Sequence, residues 1–331
     1  MSQQSPLFRR RTILGMGAGF AASAAIPAFA QAYPSRPIRF VVPYAAGGGT
    51  DLLIRVIQDS LTRTLGQPIV VDNRAGAAGA IGAREVARSP ADGYTFLVSN
   101  DGPNAIVPLL QKDAGYDPVK DFQPVTTIAT APIVLIANPS VPVTDLKTFV
   151  EWASSQAKGV TYASAGVGSI GHLAAEQFSK VTKLKFIHVP YRGQGPTVMA
   201  VLAGETQIGF TSASDALLAY IQAGKIRLLG VGSETPSPLI PGGIPIAATV
   251  PGYHAEFWQG VLAPARTPEA IIAKVHDALV SALGASEIQA KFSKMSYSVT
   301  HNTPAEFSRM LTTEVDTWRT LIRERGIQAE S

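Results

Sequence analysis

The sequence predicts an α/β protein of two domains, each built on a parallel sheet that helices cover. Short segments rich in Val, Ile, Phe and Tyr alternate with helical patterns in both halves of the chain, as in sheets of this kind. The 331 residues are enough for two domains with full cores. Two extended apolar segments, residues 125–137 and 257–263, are suited to cross between the domains. We therefore expect residues 31–132 and 263–331 to form domain 1, and residues 133–262 to form domain 2.

Composition excludes several classes of protein. The chain is 46% hydrophobic and 16% charged, which is typical of a globular protein rather than a disordered one. It contains no cysteine, so disulfides, thiol nucleophiles and cysteine metal sites are excluded. The formal net charge of +4 falls to +1 once the three arginines at positions 9–11 are set aside. Because no basic stripe remains, we expect no nucleic-acid partner. We also expect a monomer.

The first thirty residues have the pattern of an export signal. Residues 9–11 are arginines, residues 12–25 form an apolar core, and residues 28–30 fit the small-x-small rule for cleavage. The run at 10–14, Arg-Arg-Thr-Ile-Leu, is similar to the twin-arginine pattern. We therefore predict a signal peptide at residues 1–30, of the Tat type with Sec as the alternative, and a periplasmic location. A retained membrane anchor is disfavoured because the apolar core is short for a span.

The first strand–loop–helix unit of the mature chain predicts an anion site. Strand formers at 40–42 lead into a loop of alanines and glycines at 45–49, and apolar residues then recur at helical spacing over 52–65. We expect Thr50 to cap this helix and Asp51 to lie in its first turn. The N–H groups at a helix start have no partner within the helix, and glycines let a ligand approach them closely. Such a start attracts an anion.

The second half of the chain repeats this pattern. Small or polar loops at 164–169, 190–196 and 211–215 each follow a predicted strand and precede a predicted helix, as the loop at 99–103 does in the first half. In open parallel sheets, ligands bind beyond the carboxyl ends of the strands. Two such domains facing each other would line a cleft with helix N-termini. That cleft would suit a carboxylate held by backbone N–H groups and hydroxyls.

Several motifs occur in the order of one known family. Residues 43–51, PYAAGGGTD, resemble the P-F-P-A-G-G-P-T-D loop of the Bug family, the extracytoplasmic solute receptors of tripartite tricarboxylate transporters. Gly49 stands where that loop usually has proline. Further similarities to the family lie at residues 66–73, 92–95, 116–122, 165–169 with His172, 190–193 and 263–264.

The resemblance implies a type II-like, Venus-flytrap periplasmic-binding protein with two crossing strands. It implies a non-catalytic receptor that captures a carboxylated small metabolite and delivers it to the membrane subunits of the transporter, without a cofactor or a metal. The loops that hold the carboxylate would contribute Tyr44, Ala46, Gly47, Gly48, Ala165, Gly166, Ser169 and His172. The rest of the predicted site is Ser99, Asn100, Tyr191, Arg192, Gly193, Thr211, Ser212 and Asp215.

Other functions are weaker interpretations of the same residues. The glycines at 166, 168 and 171 match a dinucleotide fingerprint, but residues 185–191 offer no acidic partner for a ribose. Ser169 lacks the glycine two residues before it that a nucleophile elbow requires, so capping and ligand contact are favoured over catalysis. A sensory receptor and an exported hydrolase or lyase remain alternatives. If Asp101 or Asp215 reaches the cleft, the ligand would carry an amine or hydroxyl beside its carboxylate.

Overall fold

Ten strands of one continuous sheet run through the described part of the chain. The computed structural model describes residues 33–111 and 113–328, so the predicted signal peptide lies outside the described residues. The strands are β1 (Ile38–Val42), β2 (Ile69–Asn73), β3 (Thr95–Asn100), β4 (Phe122–Ala137), β5 (Val160–Ser164), β6 (Phe186–Pro190), β7 (Ile208–Ser212), β8 (Arg227–Val231), β9 (Glu256–Pro264) and β10 (Ser298–Val299).

Helices cover this sheet. None of those in the described part of the chain combines the length and hydrophobicity needed to cross a membrane. The helices are α1 (Gly49–Leu65), α2 (Ala80–Ala87), α3 (Val107–Leu110), α4 (Leu146–Ser154), α5 (Ile170–Thr182), α6 (Gln194–Ala203), α7 (Asp215–Gln222), α8 (Glu269–Leu283), α9 (Ser286–Lys294) and α10 (Pro304–Arg325).

Two antiparallel strands join the halves of the sheet. Along the sheet the order is β2-β1-β3-β9-β4-β7-β5-β6, and β8 and β10 also pair with β4. The parallel trio β2-β1-β3 lies on one side, and β6-β5-β7 on the other. Strand β4 pairs with β9 over its first eleven residues and with β7 and β8 from Ile133 onward. The predicted α/β architecture with two crossing strands is therefore confirmed, while the exact domain boundaries remain a prediction.

Each half has its own core. In the first half, α1 buries Leu53, Ile54 and Ile57 against β1, β3 and α8. Its apolar residues recur every three or four positions, which places them on one face. In the second half, Phe149, Tyr162 and other aromatic residues fill the space between β5, β7 and the helices α4 and α5. These two cores hold the strand ends, and so the loops that follow them, in fixed positions.

The start of α1 differs from the prediction. Gly48 is the N-cap and the helix begins at Gly49, so Thr50 lies inside the first turn and does not cap it. The last helix begins with a capping box, in which Thr303 accepts from the Glu306 N–H and Glu306 accepts from the Thr303 N–H. Gly66 and Gly326 end their helices in the left-handed conformation that glycine adopts readily.

Candidate functional site

The loop before α1 is held in shape by a buried carboxylate. Asp51 is 1% exposed and accepts hydrogen bonds from the Gly47 N–H (2.8 Å), Arg55 Nε (2.9 Å) and Asn73 Nδ2 (3.0 Å). Burial alone would raise the pKa of Asp51, but the hydrogen bonds from Arg55, Gly47 and Asn73 outweigh it and hold that pKa below its usual value. Asn73 also donates to the carbonyl of Tyr44 (3.0 Å). The charge of Asp51 therefore shapes the loop and is not offered to a ligand.

The backbone at the start of α1 remains free to bind. Among the described residues, the N–H groups of Gly49 and Thr50 have no hydrogen-bond acceptor. They belong to the first turn of a helix of 17 residues, where the helix dipole places partial positive charge. Gly49 and Thr50 both border a cleft of about 830 Å³. This end of the cleft is therefore prepared for a negatively charged group.

A second helix start borders the same cleft from the other half of the protein. Gly193 is the N-cap of α6, with φ 101°, and Gln194 is its first residue. The side-chain amide of Gln194 donates to the carbonyl of Ser212 (2.6 Å), which ties α6 to the end of β7. No acceptor among the described residues takes the backbone N–H of Gln194. Two helix N-termini, one from each half, thus face one cleft.

The described lining of the cleft is uncharged. It has neither lysine, arginine nor histidine, and neither aspartate nor glutamate. An anion here would be bound by backbone N–H groups and neutral donors. An adjoining hollow of about 520 Å³ shares Gly49, Gln194 and Tyr297 with the cleft and adds Ser212, Asp215 and Lys294. Among the described residues, the charged side chains Asp215 and Lys294 line the adjoining hollow and not the cleft itself.

The structure brings about half of the predicted residues to this space. Tyr44, Ala46, Gly47, Gly48, Asn100 and Gly193 border the cleft, and Ser212 and Asp215 border the adjoining hollow. Tyr44 donates to Asn100 Oδ1 (2.8 Å), and burial raises the pKa of Tyr44, so its hydroxyl stays neutral. Ser99 precedes Asn100 on β3 and so points to the opposite face. Its buried hydroxyl has no hydrogen-bond partner among the described residues.

Other predicted residues lie behind the cleft lining. The Gly193 N–H donates to the carbonyl of Ala165 (3.3 Å), so Ala165 and Gly166 support the start of α6 from behind. Ser169 is the N-cap of α5 and accepts from the His172 N–H (3.2 Å), which confirms its capping role. His172 is 5% exposed.

The remaining predicted residues have other surroundings. Tyr191 donates to Glu205 (2.9 Å), Arg192 is exposed, and Thr211 is buried in β7. Asp101 is 1% exposed and accepts from the Gly102 N–H (3.0 Å), and it borders neither hollow.

Four residues that line the cleft were not identified from the sequence. Gln194, Phe257, Gln259 and Tyr297 all line it. Phe257 and Gln259 lie two residues apart on the crossing strand β9. Tyr297 follows α9, a helix that the sequence patterns did not predict. Only Gln194 had a local signal, because it follows Gly193 at a predicted helix start. The other three enter through the packing of distant segments.

Two other chemistries, metal binding and a Ser169–His172 catalytic pair, find no support among the described residues. Within 33–111 and 113–328, no three histidine, aspartate or glutamate side chains are grouped to hold a metal ion. The Ser169 hydroxyl accepts a hydrogen bond from the His172 backbone N–H, and the His172 ring accepts one from the Gly168 N–H (3.0 Å). The two side chains are therefore not bonded to each other. The site is suited to bind an anion between the two halves, which the strands β4 and β9 connect.

A two-lobed α/β protein with crossing strands and a cleft between helix N-termini belongs to the class of periplasmic solute-binding proteins. Within that class, the chain belongs to the tripartite tricarboxylate transporter receptor family, whose model matches residues 53–327. It is a solute receptor of the periplasm and not an enzyme.

Individual proteins support this assignment. The chain is 33% identical to protein BugT of Bordetella pertussis over 308 residues, which cover 92% of this chain and 94% of BugT. A solved structure described as a periplasmic transporter is 36% identical, with a TM-score of 0.71, and the match covers 90% of this chain and 99% of that one. A receptor of R. palustris solved with adipate is 33% identical, with a TM-score of 0.71 and coverages of 89% and 99%.

Proposed function

We propose that this receptor captures a small organic acid in the cleft between its halves and delivers it to the membrane subunits of a tripartite tricarboxylate-type transporter. One observation carries the proposal: Gly49, Thr50 and Gln194 border one cleft from opposite halves, their N–H groups have no acceptor among the described residues, and the described lining holds no charged side chain. Helix N-termini bind anions in this way. The related receptor solved with adipate supports a carboxylate as the ligand.

The expected energies are adequate for a transport receptor. Each helix dipole contributes about 0.3–1 kcal/mol, and up to about 2 kcal/mol where the end is partly buried. Charge-assisted hydrogen bonds add about 1.5–3 kcal/mol each. Two helix ends and three or four such bonds would support a dissociation constant of roughly 1 μM, about −8 kcal/mol, after the costs of association.

Export and domain movement complete the proposal. Residues 1–30 would direct the chain to the periplasm as a twin-arginine signal peptide, because the run at 10–14 follows that pattern. Residues 31–132 with 263–331 and residues 133–262 would then move relative to each other as two domains of a monomer. The crossing strands β4 and β9 would be the hinge, since they connect the two parallel trios.

The test is a thermal-shift screen of the mature protein. Its panel holds mono-, di- and tricarboxylates, aromatic acids and acidic amino acids, each beside its methyl ester, a control that is one methyl group larger at each carboxyl and lacks the carboxylate charge. A true ligand at 100 times its dissociation constant adds about 2.7 kcal/mol of stability. We expect at least one acid to stabilise the protein and its ester to fail. Equal stabilisation by acid and ester would contradict recognition of the carboxylate, and conversion of the acid would contradict a receptor role.

A further inference from the structure

Three aromatic rings stack behind the loop at 164–169. The rings of Tyr162 and His188 lie 4.8 Å apart at 18°, and those of His188 and His172 lie 4.0 Å apart at 9°. Tyr162 and His188 are direct partners on the parallel strands β5 and β6, and His172 comes from the first turn of α5. Two strands and a helix therefore meet in this stack, just behind one wall of the cleft.

Each histidine supports one glycine of the loop. The Gly168 N–H donates to His172 Nδ1 (3.0 Å), which requires that the proton of a neutral His172 sit on Nε2. His188 Nε2 lies 2.7 Å from Ser164 Oγ, and that hydroxyl accepts from the Gly166 N–H (3.3 Å). One ring thus holds Gly168 directly, and the other holds Gly166 through Ser164.

The loop in turn supports the cleft. Gly166 and Gly168 have φ values of 125° and 75°, a region that other residues rarely adopt. The carbonyl of Ser164 accepts from the Tyr191 N–H (2.9 Å), and that of Ala165 from the Gly193 N–H (3.3 Å). Gly193 is the N-cap of α6 and lines the cleft. A shift of the loop would therefore move the start of α6.

The stack depends on neutral rings. Burial, with a smaller contribution from His188, lowers the pKa of His172 to about 3, and burial lowers the pKa of His188 to about 4. A proton on His172 Nδ1 would also abolish its acceptor for Gly168. At the other end of the stack, the Tyr162 hydroxyl donates to Glu176 Oε1 (2.8 Å). The second oxygen of that carboxylate, Oε2, lies 3.4 Å from Arg325 Nε.

We propose that His172 and His188 are positioning residues for ligand binding: as a stacked pair, they fix the loop at 164–169, which in turn fixes the helix start at Gly193. They act through the loop rather than by contact with the acid. This inference rests on the proposed function, because it names what holds one of the two helix starts in place. It accounts for His172, which is buried, and His188, which is half-buried, and neither belongs to the described lining of the cleft.

Paired variants separate the hydrogen bonds from packing. His172→Asn keeps an acceptor near the position of Nδ1, whereas His172→Phe keeps a ring and loses the acceptor. His188→Gln keeps a polar group near Nε2, and His188→Phe loses it. His301→Phe is the control, because His301 is exposed and distant in the chain from the loop. We measure the dissociation constant for adipate, and for the best acid of the screen if adipate is not bound.

The two phenylalanine variants should weaken binding about tenfold, the effect of one lost hydrogen bond at the strong end of its range. The asparagine and glutamine variants should stay within about threefold of the wild type, and the control should not change. Amide exchange of Gly168 in the free protein should accelerate in His172→Phe and stay slow in His172→Asn. The Nε2–H tautomer of His172 should appear in nitrogen chemical shifts.

Two results would overturn the inference. One is unchanged affinity in both phenylalanine variants. The other is equal loss of affinity and of melting temperature in the asparagine and phenylalanine variants, which would reduce the stack to ordinary packing. If the wild type binds no carboxylate at all, the proposed function is contradicted instead. The exchange of Gly168 still decides, in that case, whether the rings hold the loop.

Discussion

The hydroxyl of Tyr297 lies against Gly49 at the start of α1: a Cβ added to Gly49 would stand 3.0 Å from it. Tyr297 follows α9, more than two hundred residues later in the chain, and both residues line the cleft. Because glycine has no side chain, the Tyr297 hydroxyl can occupy the space beside position 49.

This contact predicts coupling between the two positions. Gly49→Ala should push the Tyr297 hydroxyl by a few tenths of an ångström and weaken binding of the acid, and Tyr297→Phe should remove that conflict. Residues in contact typically show interaction energies of about 0.5–3 kcal/mol, and we expect the lower end. The measurement is the dissociation constant of the wild type, both single variants and the double variant. Additive effects would mean that the contact does not shape the cleft.

Asp51→Asn should destabilise the free protein and weaken ligand binding. The variant loses the charge that holds the Gly47 N–H and Arg55, and hydrogen bonds to charged groups contribute about 1.5–3 kcal/mol. Because Arg55 is 43% exposed on its side chain, we expect the low end of this range. Urea unfolding at pH 7 measures the loss, with Asp59→Asn, exposed on the same helix, as the control.

The contribution of Asp51 should also depend on pH. Since its pKa is lower in the folded than in the unfolded protein, its stabilisation is fully present above the unfolded value of about 3.9. It is lost as the pH falls through the folded pKa. The difference in unfolding free energy between wild type and Asp51→Asn should therefore shrink when the pH falls from 5 to below 3. A constant difference would show that the carboxylate acts through shape alone.

The buried His172 and the half-buried His188 predict a further loss of stability in acid, in a pH range above that of Asp51. Burial lowers the pKa of His172 to about 3 and that of His188 to about 4, so the unfolded chain takes up protons that the folded protein refuses. Stability should fall as the pH decreases from about 6.5, by up to about 1.4 kcal/mol per pH unit for each histidine. Unfolding at several pH values between 7 and 4.5 should give a shallower slope for His172→Asn. Equal slopes would contradict burial of a neutral ring.

Gly168→Ala should be costly. The new Cβ would lie 2.4 Å from Leu110 Cδ1, and φ at this position is 75°. Strain of this kind costs about 1–3 kcal/mol, and Leu110 belongs to the half of the protein opposite the loop. We expect a lower melting temperature and weaker binding. Gly195→Ala is the matched control, since its Cβ would meet nothing within 4 Å. Similar melting temperatures for the two variants would contradict the close approach of Gly168.

The sequence predicted what local patterns encode. The helical spacing over residues 52–65 and the small residues before α1 both correspond to elements of the structure. The assignment of Thr50 as a cap was wrong, because the helix already begins at Gly49 and Gly48 is its N-cap.

Local sequence patterns did not predict all of the residues that line the cleft. Phe257, Gln259 and Tyr297 reach it through the crossing of β9 and the packing of α9, and no spacing along the chain reveals such contacts. The pairing of His172 with His188 depends equally on the register of β5 with β6.

The most direct test of the central claim is a crystal structure of the mature protein with the acid that stabilises it best. We expect one carboxylate of that acid to lie within about 3.2 Å of the N–H groups of Gly49 or Thr50. We also expect the start of α6 at Gln194 to close over that carboxylate. A carboxylate bound elsewhere, with these N–H groups facing only solvent, would contradict the account.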